Sequence, residues 1–534
     1  MRASPAANGP ASSRGRASLL TLAALVPLGA TACALNQQGV PPPLDRISFP
    51  GSALADPDGR WLYVANSNAD LRFNNGTLVA LDLEAAAADR SAKWQVCPGA
   101  DYVRADSDPA PCCWDYLDHS ILDCDERKYI PQDSTIEIGS FSAGMAFQPF
   151  TEPKCPAATA SVSSDQANFN APQDRHDCNT HCPGDSVDGR LFIGVRGDSS
   201  LTYVDTTRVA DPMLGTRPHF STCPDVGPLS ACRVLNMPGP VGLTPPGSTP
   251  AVTLVPDEPY ALALNASQDL LYIGHLRGDV NHPNTGGISL FDVSRPASGA
   301  STTTNIPQYA GSSGALFPAD ANGNFGVTSL TLRGDQVYAS SRYTASAVNV
   351  IPSLDAPSCP PQDPTTITLS PGSDAYASPL VGTEIRGIQF LANNRAFVLQ
   401  RTPPALVGFD MSNADTASPN FPSDIIETCT SPTFLQSYDT GEGLRLYVTC
   451  FDAGQIYVFD PTIPRLVTVI DAGRGPAGLA FAPRVQNPRA PTGQQLAFIV
   501  GFTLNDVAVL DLTPGSDTQY HVIQRFGFPS LVPR

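Results

Sequence analysis

Seven times along this chain an apolar run with an aromatic near its start is followed, after a polar turn, by an alternating run that usually closes on Asp. The aromatics are Tyr63, Phe192, Tyr272, Tyr338, Phe397, Tyr447 and Phe498, in segments such as RWLYVAN, RLFIGV, LLYIGH and RLYVTC. The partner runs end at Asp82, Asp205, Asp292, Pro352, Asp410, Asp460 and Asp511, so six of the seven end in Asp. Self-similarity of this kind constrains architecture before any single residue is interpreted, because each repeat is one supersecondary unit that buries its apolar face only against its neighbours.

A further apolar run precedes each aromatic: SALADP, GMAFQP, YALALN, VTSLTL, GIQFLA, TFLQSY and GLAFAP. A fourth candidate strand often follows the partner run, as near Ile136, Val467 and Val522. Period-two alternation bounded by Gly, Pro, Asn and Asp reads as short strands. The 53 prolines and the low share of charged residues, 15%, also suit strands and turns rather than amphipathic helices. We therefore expect an all-β chain, a seven-bladed β-propeller of four-stranded antiparallel blades with Cys-rich loop insertions. From Tyr338 onward the aromatics recur at steps of 59, 50 and 51 residues, near the 40 to 50 that one blade needs. Earlier steps of 129, 80 and 66 imply insertions, at about 97–129, 150–189 and 217–256.

The N-terminus carries Arg2, Arg14 and Arg16 and no acid, then an apolar stretch from Leu19 to Leu28, then small residues leading to Cys33. This is the order of an export signal, too short for a transmembrane helix. It places a signal peptide at 1–32, Cys33 and a Pro-rich tether at 33–45, and the propeller at 46–534. The ATAC sequence ending at Cys33 resembles the bacterial lipobox, which implies acylation of Cys33 and anchoring through lipid alone, with no transmembrane helix. Ala34, rather than Asp, after that cysteine implies the outer membrane by resemblance to other lipoproteins, on the periplasmic side or at the cell surface. The alternative is ordinary cleavage with a free or paired Cys33. The twelve remaining cysteines are an even set in an exported chain and read as disulfides, with Cys223 and Cys232 closing a short loop and Cys429 and Cys450 stapling neighbouring strands as candidates. The net charge of -18 repels phosphate backbones and disfavours nucleic acid as a partner.

DPDGRWLYVANSN with GTLVALDL, and RGPAGLAFAP with QLAFIVGF and VAVLDL, resemble the YVTN family of bacterial β-propeller repeats. The resemblance covers about 50–534 and is strongest in the first, third, sixth and seventh units; the Cys-rich insertions depart from it. The whole chain is also similar to uncharacterised propeller lipoproteins of myxobacterial type, sharing CDERKYI and VRGDSSLTYVD, a likeness that implies location and not activity.

No motif fixes a chemistry. HDCNTHC places His176, Cys178, His181 and Cys182 together, which suits either tetrahedral zinc or disulfides, and the oxidising compartment favours disulfides. Asp320, Asn322 and Asn324 resemble the start of a calcium loop, but Gly323 falls two places early and the closing Glu is missing, so a tight turn is the better reading. The three RGD tripeptides, at Arg196, Arg277 and Arg333, sit where β-turns need Gly and Asp. GxSxG is missing, and the histidines, including His275 and His282, read as exposed loop residues. The repeated Asp reads as an acceptor for turn amides and the repeated aromatic as packing between blades. No catalytic, metal or cofactor-binding residue is assigned. The first functional expectation is a non-enzymatic envelope scaffold binding a protein or glycan partner. The alternative is a lactonase-like or quinoprotein-like enzyme with its site in the central channel, where Glu384, Arg386 and Arg474 are the charged residues near inner strands.

Overall fold

The computed structural model describes residues 40–98, 109–149, 189–212, 214–223, 226–234, 236–238, 252–254, 258–277, 287–293, 306–312, 326–334, 336–341, 348–352, 383–392, 394–410, 422–485 and 494–527. They belong to one compact unit, Val40–Arg534. The first blade holds β1 (Pro50–Ala55), β2 (Trp61–Asn66) and β3 (Gly76–Asp82). An insertion with α1 (Leu83–Arg90), β4 (Cys113–Trp114) and β5 (Leu122–Cys124) follows before β6 (Thr135–Ile138) completes that blade. The second runs β7 (Ser142–Pro149), β8 (Gly189–Val195), β9 (Ser200–Asp211) and β10 (Gly215–Phe220), with β11 (Cys232–Val234) also paired to β9. A separate pair, β12 (Asn236–Pro238) and β13 (Val252–Leu254), precedes β14 (Pro259–Leu264), β15 (Leu270–His275), β16 (Ile288–Asp292) and β17 (Gln308–Ser312). A three-stranded sheet follows, β18 (Val327–Arg333), β19 (Gln336–Ser341) and β20 (Val348–Pro352). Then come β21 (Thr383–Phe390), β22 (Arg395–Thr402), β23 (Pro404–Asp410) and β24 (Pro422–Glu427). The next blade has β25 (Pro432–Asp439), β26 (Leu444–Cys450), β27 (Gln455–Asp460) and β28 (Arg465–Asp471), and the last has β29 (Pro476–Val485), β30 (Gln494–Gly501), β31 (Asp506–Asp511) and β32 (Val522–Phe526).

The fold is thus an all-β propeller of four-stranded antiparallel blades, but the expectation of seven such blades is corrected: six sheets contain four antiparallel blade strands. The fourth repeat makes three strands among the described residues, and the 353–382 segment that follows them lies outside those residues. A second departure is α1, which the expectation of nearly pure β structure did not contain. Asp82 caps it by accepting from the Glu84 and Ala85 amides, and the alanine run LEAAAADR has high helix propensity.

Every repeated aromatic is buried, at no more than 1% exposure, and each sits in a different apolar cluster reaching to the next sheet along the chain. Tyr63 packs with Phe147 and Leu191, Phe192 with Leu271 and Phe291, and Tyr272 with Val327 and Val337. Tyr338 packs with Phe390, Phe397 with Leu446 and Val448, and Tyr447 with Phe481 and Ile499. Phe498 returns to Leu62 and Val64 of the first blade, so the sheets form a closed ring. Burying each such ring stabilises the junction by about 2 to 3 kcal/mol, which explains why the aromatic recurs.

Closure is reinforced by the first insertion. β5 adds in parallel to the outer strand of the last blade, pairing Leu122 with Gln524, Asp123 with Arg525 and Cys124 with Phe526, and β4 adds beyond it. Arg90 of α1 donates to Gln524 and Gln494, and Tyr129 packs edge-on against Phe526. Disulfides Cys97–Cys113 and Cys112–Cys124 hold this segment together.

Candidate functional site

The residue entering each inner strand has left-handed backbone: Phe49, Phe141, Glu258, Gly326, Glu384, Ser431 and Gly475. At a non-glycine residue this conformation costs roughly 1 to 2 kcal/mol, and such strain persists where the surroundings over-determine it. The cause here is a shared turn. The carbonyls of Phe49, Phe141, Glu258, Ser431 and Gly475 accept the amides of Ser67, Arg196, Leu276, Phe451 and Phe502, just past the second strand of the same blade. A β-bulge follows in all seven inner strands. At Gly475 an added Cβ would also meet Thr503 at 2.1 Å, so glycine is required on two grounds.

These turns line one rim of the ring, and two present carboxylates. Glu258 accepts from Arg196 of the preceding blade at 2.7 Å and faces Arg277 at 3.4 Å. Glu384 accepts from Arg386 at 2.8 Å and faces Arg401 at 3.8 Å, while Arg401 also donates to Ser431 of the following blade. Arg277 is about half exposed, Arg386 is buried, and Arg474 is exposed beside the Gly475 turn. Around the same rim Phe49 and Phe451 both contact Phe502. Of the channel residues singled out in the sequence, Glu384 and Arg386 therefore meet, whereas Arg474 stands at the last blade, beside the Gly475 turn. Glu258, Arg196 and Arg277 were missed as a group; the signal was their recurring place, Glu258 fourteen residues before Tyr272, as Phe49 is before Tyr63.

The strongest electrostatic perturbations lie elsewhere. Between the first two blades, burial and then Asp58 push the Asp56 carboxyl well above its ordinary range, although Arg208 is bonded to it. At the closing latch, burial raises Asp123 to about 6 against the opposing pull of Arg525. Burial acts the same way on Asp115, but there the Asp118 amide and Arg525 win and its carboxyl is held below the usual value. Burial also lowers Arg90 to about 10.

The remaining sequence candidates separate clearly. Cys223 is bonded to Cys232 and Cys429 to Cys450. The four disulfides seen suit a chain oxidised outside the cytoplasm. Cys33, the HDCNTHC residues His176, Cys178, His181 and Cys182, and Asp320, Asn322 and Asn324 lie outside the described residues. The first RGD is a turn whose charges are engaged internally, Arg196 with Glu258 and Asp198 with Arg233. His275 is not an exposed loop residue; it ends β15 fully buried, with Nε2 at 2.9 Å from Ser289 Oγ. Asp460 and Asp511 accept turn amides and Asp82 accepts the first amides of α1, but Asp205 instead pairs with Arg190 across the β8–β9 ladder. Among the described residues no three His, Cys, Asp or Glu converge as metal ligands, and no helix is long and apolar enough to cross a membrane.

No family model matches this chain, and no curated protein does. Solved structures similar to it include the β-propeller domain of Cps50 (Swd1) from Myceliophteria thermophila, at 10% identity and a TM-score of 0.43, covering 88% of this chain and 99% of that one. The Dos1 propeller aligns at 10% identity and a TM-score of 0.37, covering 89% and 84%. An auxiliary nutrient binding protein from Bacteroides thetaiotaomicron aligns at 11% identity and a TM-score of 0.30, covering 61% and 80%.

Proposed function

We propose that this chain is an exported envelope lipoprotein, cleaved after residue 32, acylated at Cys33 and tethered through 33–45, whose propeller (46–534) binds a protein or glycan partner at the arginine-bearing rim. The YVTN family is the proposed kinship, and the outer membrane the proposed address.

The observation that carries the binding reading is the pairing at the rim. Glu258 and Glu384 each hold two guanidinium groups, so both carboxylates are engaged by arginines of the rim itself. Fixed, paired charges on strained turns suit recognition of a polar surface, where complementary charge sets specificity. The first insertion, by contrast, is committed to closing the ring, which supports the rim over that insertion as the contact surface.

The test immobilises the full chain, extracted in detergent, and exposes it to envelope extracts and a glycan array. Wild type is expected to retain a discrete partner, and Arg277→Glu with Arg401→Glu to lose it at unchanged melting temperature. Retention indifferent to both reversals, or turnover of lactones or quinone-linked substrates with or without calcium, would overturn the reading.

A further inference from the structure

Phenylalanines stand on the strained turns of the rim, and direct contacts join them to both arginine pairs in one continuous arc. It begins at β21, where Arg386 and Arg401 flank Glu384. Arg401 donates to Ser431 Oγ at 3.2 Å, and the Ser431 carbonyl accepts the Phe451 amide. The Phe451 ring tilts against Phe502 at 6.3 Å, and Phe502 meets Phe49 edge-on at 5.7 Å. Ser67 then bridges two turns, giving its amide to the Phe49 carbonyl and accepting the Phe141 amide on its own. The Phe141 carbonyl in turn accepts the Arg196 amide, and the Arg196 guanidinium reaches Glu258, with Arg277 beside the same carboxylate.

Each end of this arc sets two guanidinium groups against one carboxylate, a local excess of one positive charge in a chain of net charge -18. Arg277 and Arg401 are the looser partners, at 3.4 and 3.8 Å, and the more exposed ones. A guanidinium has five donors in a planar fork that matches a carboxylate, so both keep donors for an incoming acid. The middle of the arc is balanced: Asp70 pairs with Arg72, Asp198 with Arg233, and the exposed Arg474 and Asp452 offset each other. Phe49, Phe141, Phe451 and Phe502 are all half-buried there, which leaves part of each ring open on a fixed backbone.

An aromatic ring is negative on its face and positive at its edge, so it attracts the weakly positive C–H face of a sugar ring. A ligand with apolar ring faces in its middle and carboxylates spaced to either side therefore matches the arc. An acidic peptide puts its carboxylates on flexible stems whose ordering opposes binding, and a nucleic acid strand carries a phosphate at every unit, which a balanced middle does not match. We propose that the rim takes an acidic glycan in which uronic acid residues alternate with neutral sugars, an inference that rests on the binding role of the rim.

The test titrates the full chain in detergent with hyaluronan oligosaccharides of four to twelve sugars, by calorimetry. Affinity is expected to step up once an oligosaccharide is long enough to reach both ends of the arc, and methyl esterification of its carboxylates to weaken binding about 10-fold or more. Arg277→Gln and Arg401→Gln should each weaken it about 10-fold and flatten its salt dependence. Phe451→Leu should weaken it about 5-fold and leave the salt dependence as it was. In the wild type, saturating the aromatic protons should transfer magnetisation to the sugar C–H protons, a readout that needs no variant. Equal binding of the methyl ester, no transfer from the aromatic protons, or tighter binding of an oligothymidylate of the same charge would each overturn the proposal. A protein partner lost in Arg277→Glu with Arg401→Glu, with no hyaluronan bound, would overturn it too while leaving the rim's binding role intact; binding of neither would overturn both.

Discussion

Arg525 donates from Nε to Asp123 at 2.8 Å although 402 residues of chain separate them. The pair sits on adjacent strands of the closing ladder, and the same guanidinium also holds Asp115. All three side chains are largely buried, so the ion pairs are poorly screened and removing their cation leaves two carboxylates in low dielectric. Arg525→Met should cost about 3 to 5 kcal/mol. Urea unfolding checks this, and adding Asp115→Asn and Asp123→Asn should recover much of the loss.

Asp123 also sets a pH dependence. Its carboxyl titrates near 6 in the folded chain, above the value of about 3.9 for an unperturbed Asp. The protonated form therefore favours the folded state: its contribution is complete below about pH 4 and is lost as pH rises through about 6. Asp115 moves the other way, and its contribution fades only as pH falls below the ordinary carboxylate range. Thermal unfolding should show the wild type losing stability between about pH 4 and pH 6 relative to Asp123→Asn, with the difference constant above about pH 7.

Cys112–Cys124 closes a loop of 12 residues that contains β4 and leads into β5. Replacing both cysteines by Ser should cost about 3 kcal/mol. The loss should be local first, so amide exchange at Gln524–Phe526 should quicken while that at Tyr272 and Phe192 stays slow. Equal loss everywhere would mean the latch and the ring open as one unit.

Phe498 joins the last blade to the first. Phe498→Ala should destabilise by about 3 to 5 kcal/mol, and Phe498→Leu by much less. Comparison of the two by chemical denaturation separates lost volume from lost fold.

The parts of this fold that repeat were legible, because repetition turns weak local signals into a pattern. The seven aromatics and the inner-strand runs before them depend on local chemistry that a period exposes, and the pairings Cys223–Cys232 and Cys429–Cys450 were legible as a short loop and as neighbouring strands. What escaped depends on geometry between distant segments. Nothing local distinguishes LDC at 122–124 from any other short apolar stretch until Arg525 stands beside it. Likewise His275 reads as a turn residue because GHLRGD looks like one, yet the strand continues through it to reach Ser289. Asp205 broke the rule of its repeat because Arg190, directly opposite in the ladder, outcompetes turn amides for its oxygens. At the rim, the left-handed positions carry Phe, Glu, Ser and Gly, so backbone conformation repeats there while residue identity does not.

Because the strand that seals the ring, β32, docks on β5 at Leu122–Cys124, a chain synthesised from its N-terminus presents the receptor long before the bolt. The small cysteine-bonded loop has time to oxidise while the intervening sheets appear one after another. A chain broken off before Val522 would hold the earlier sheets without the strand that locks them, leaving an open arc for proteases to find.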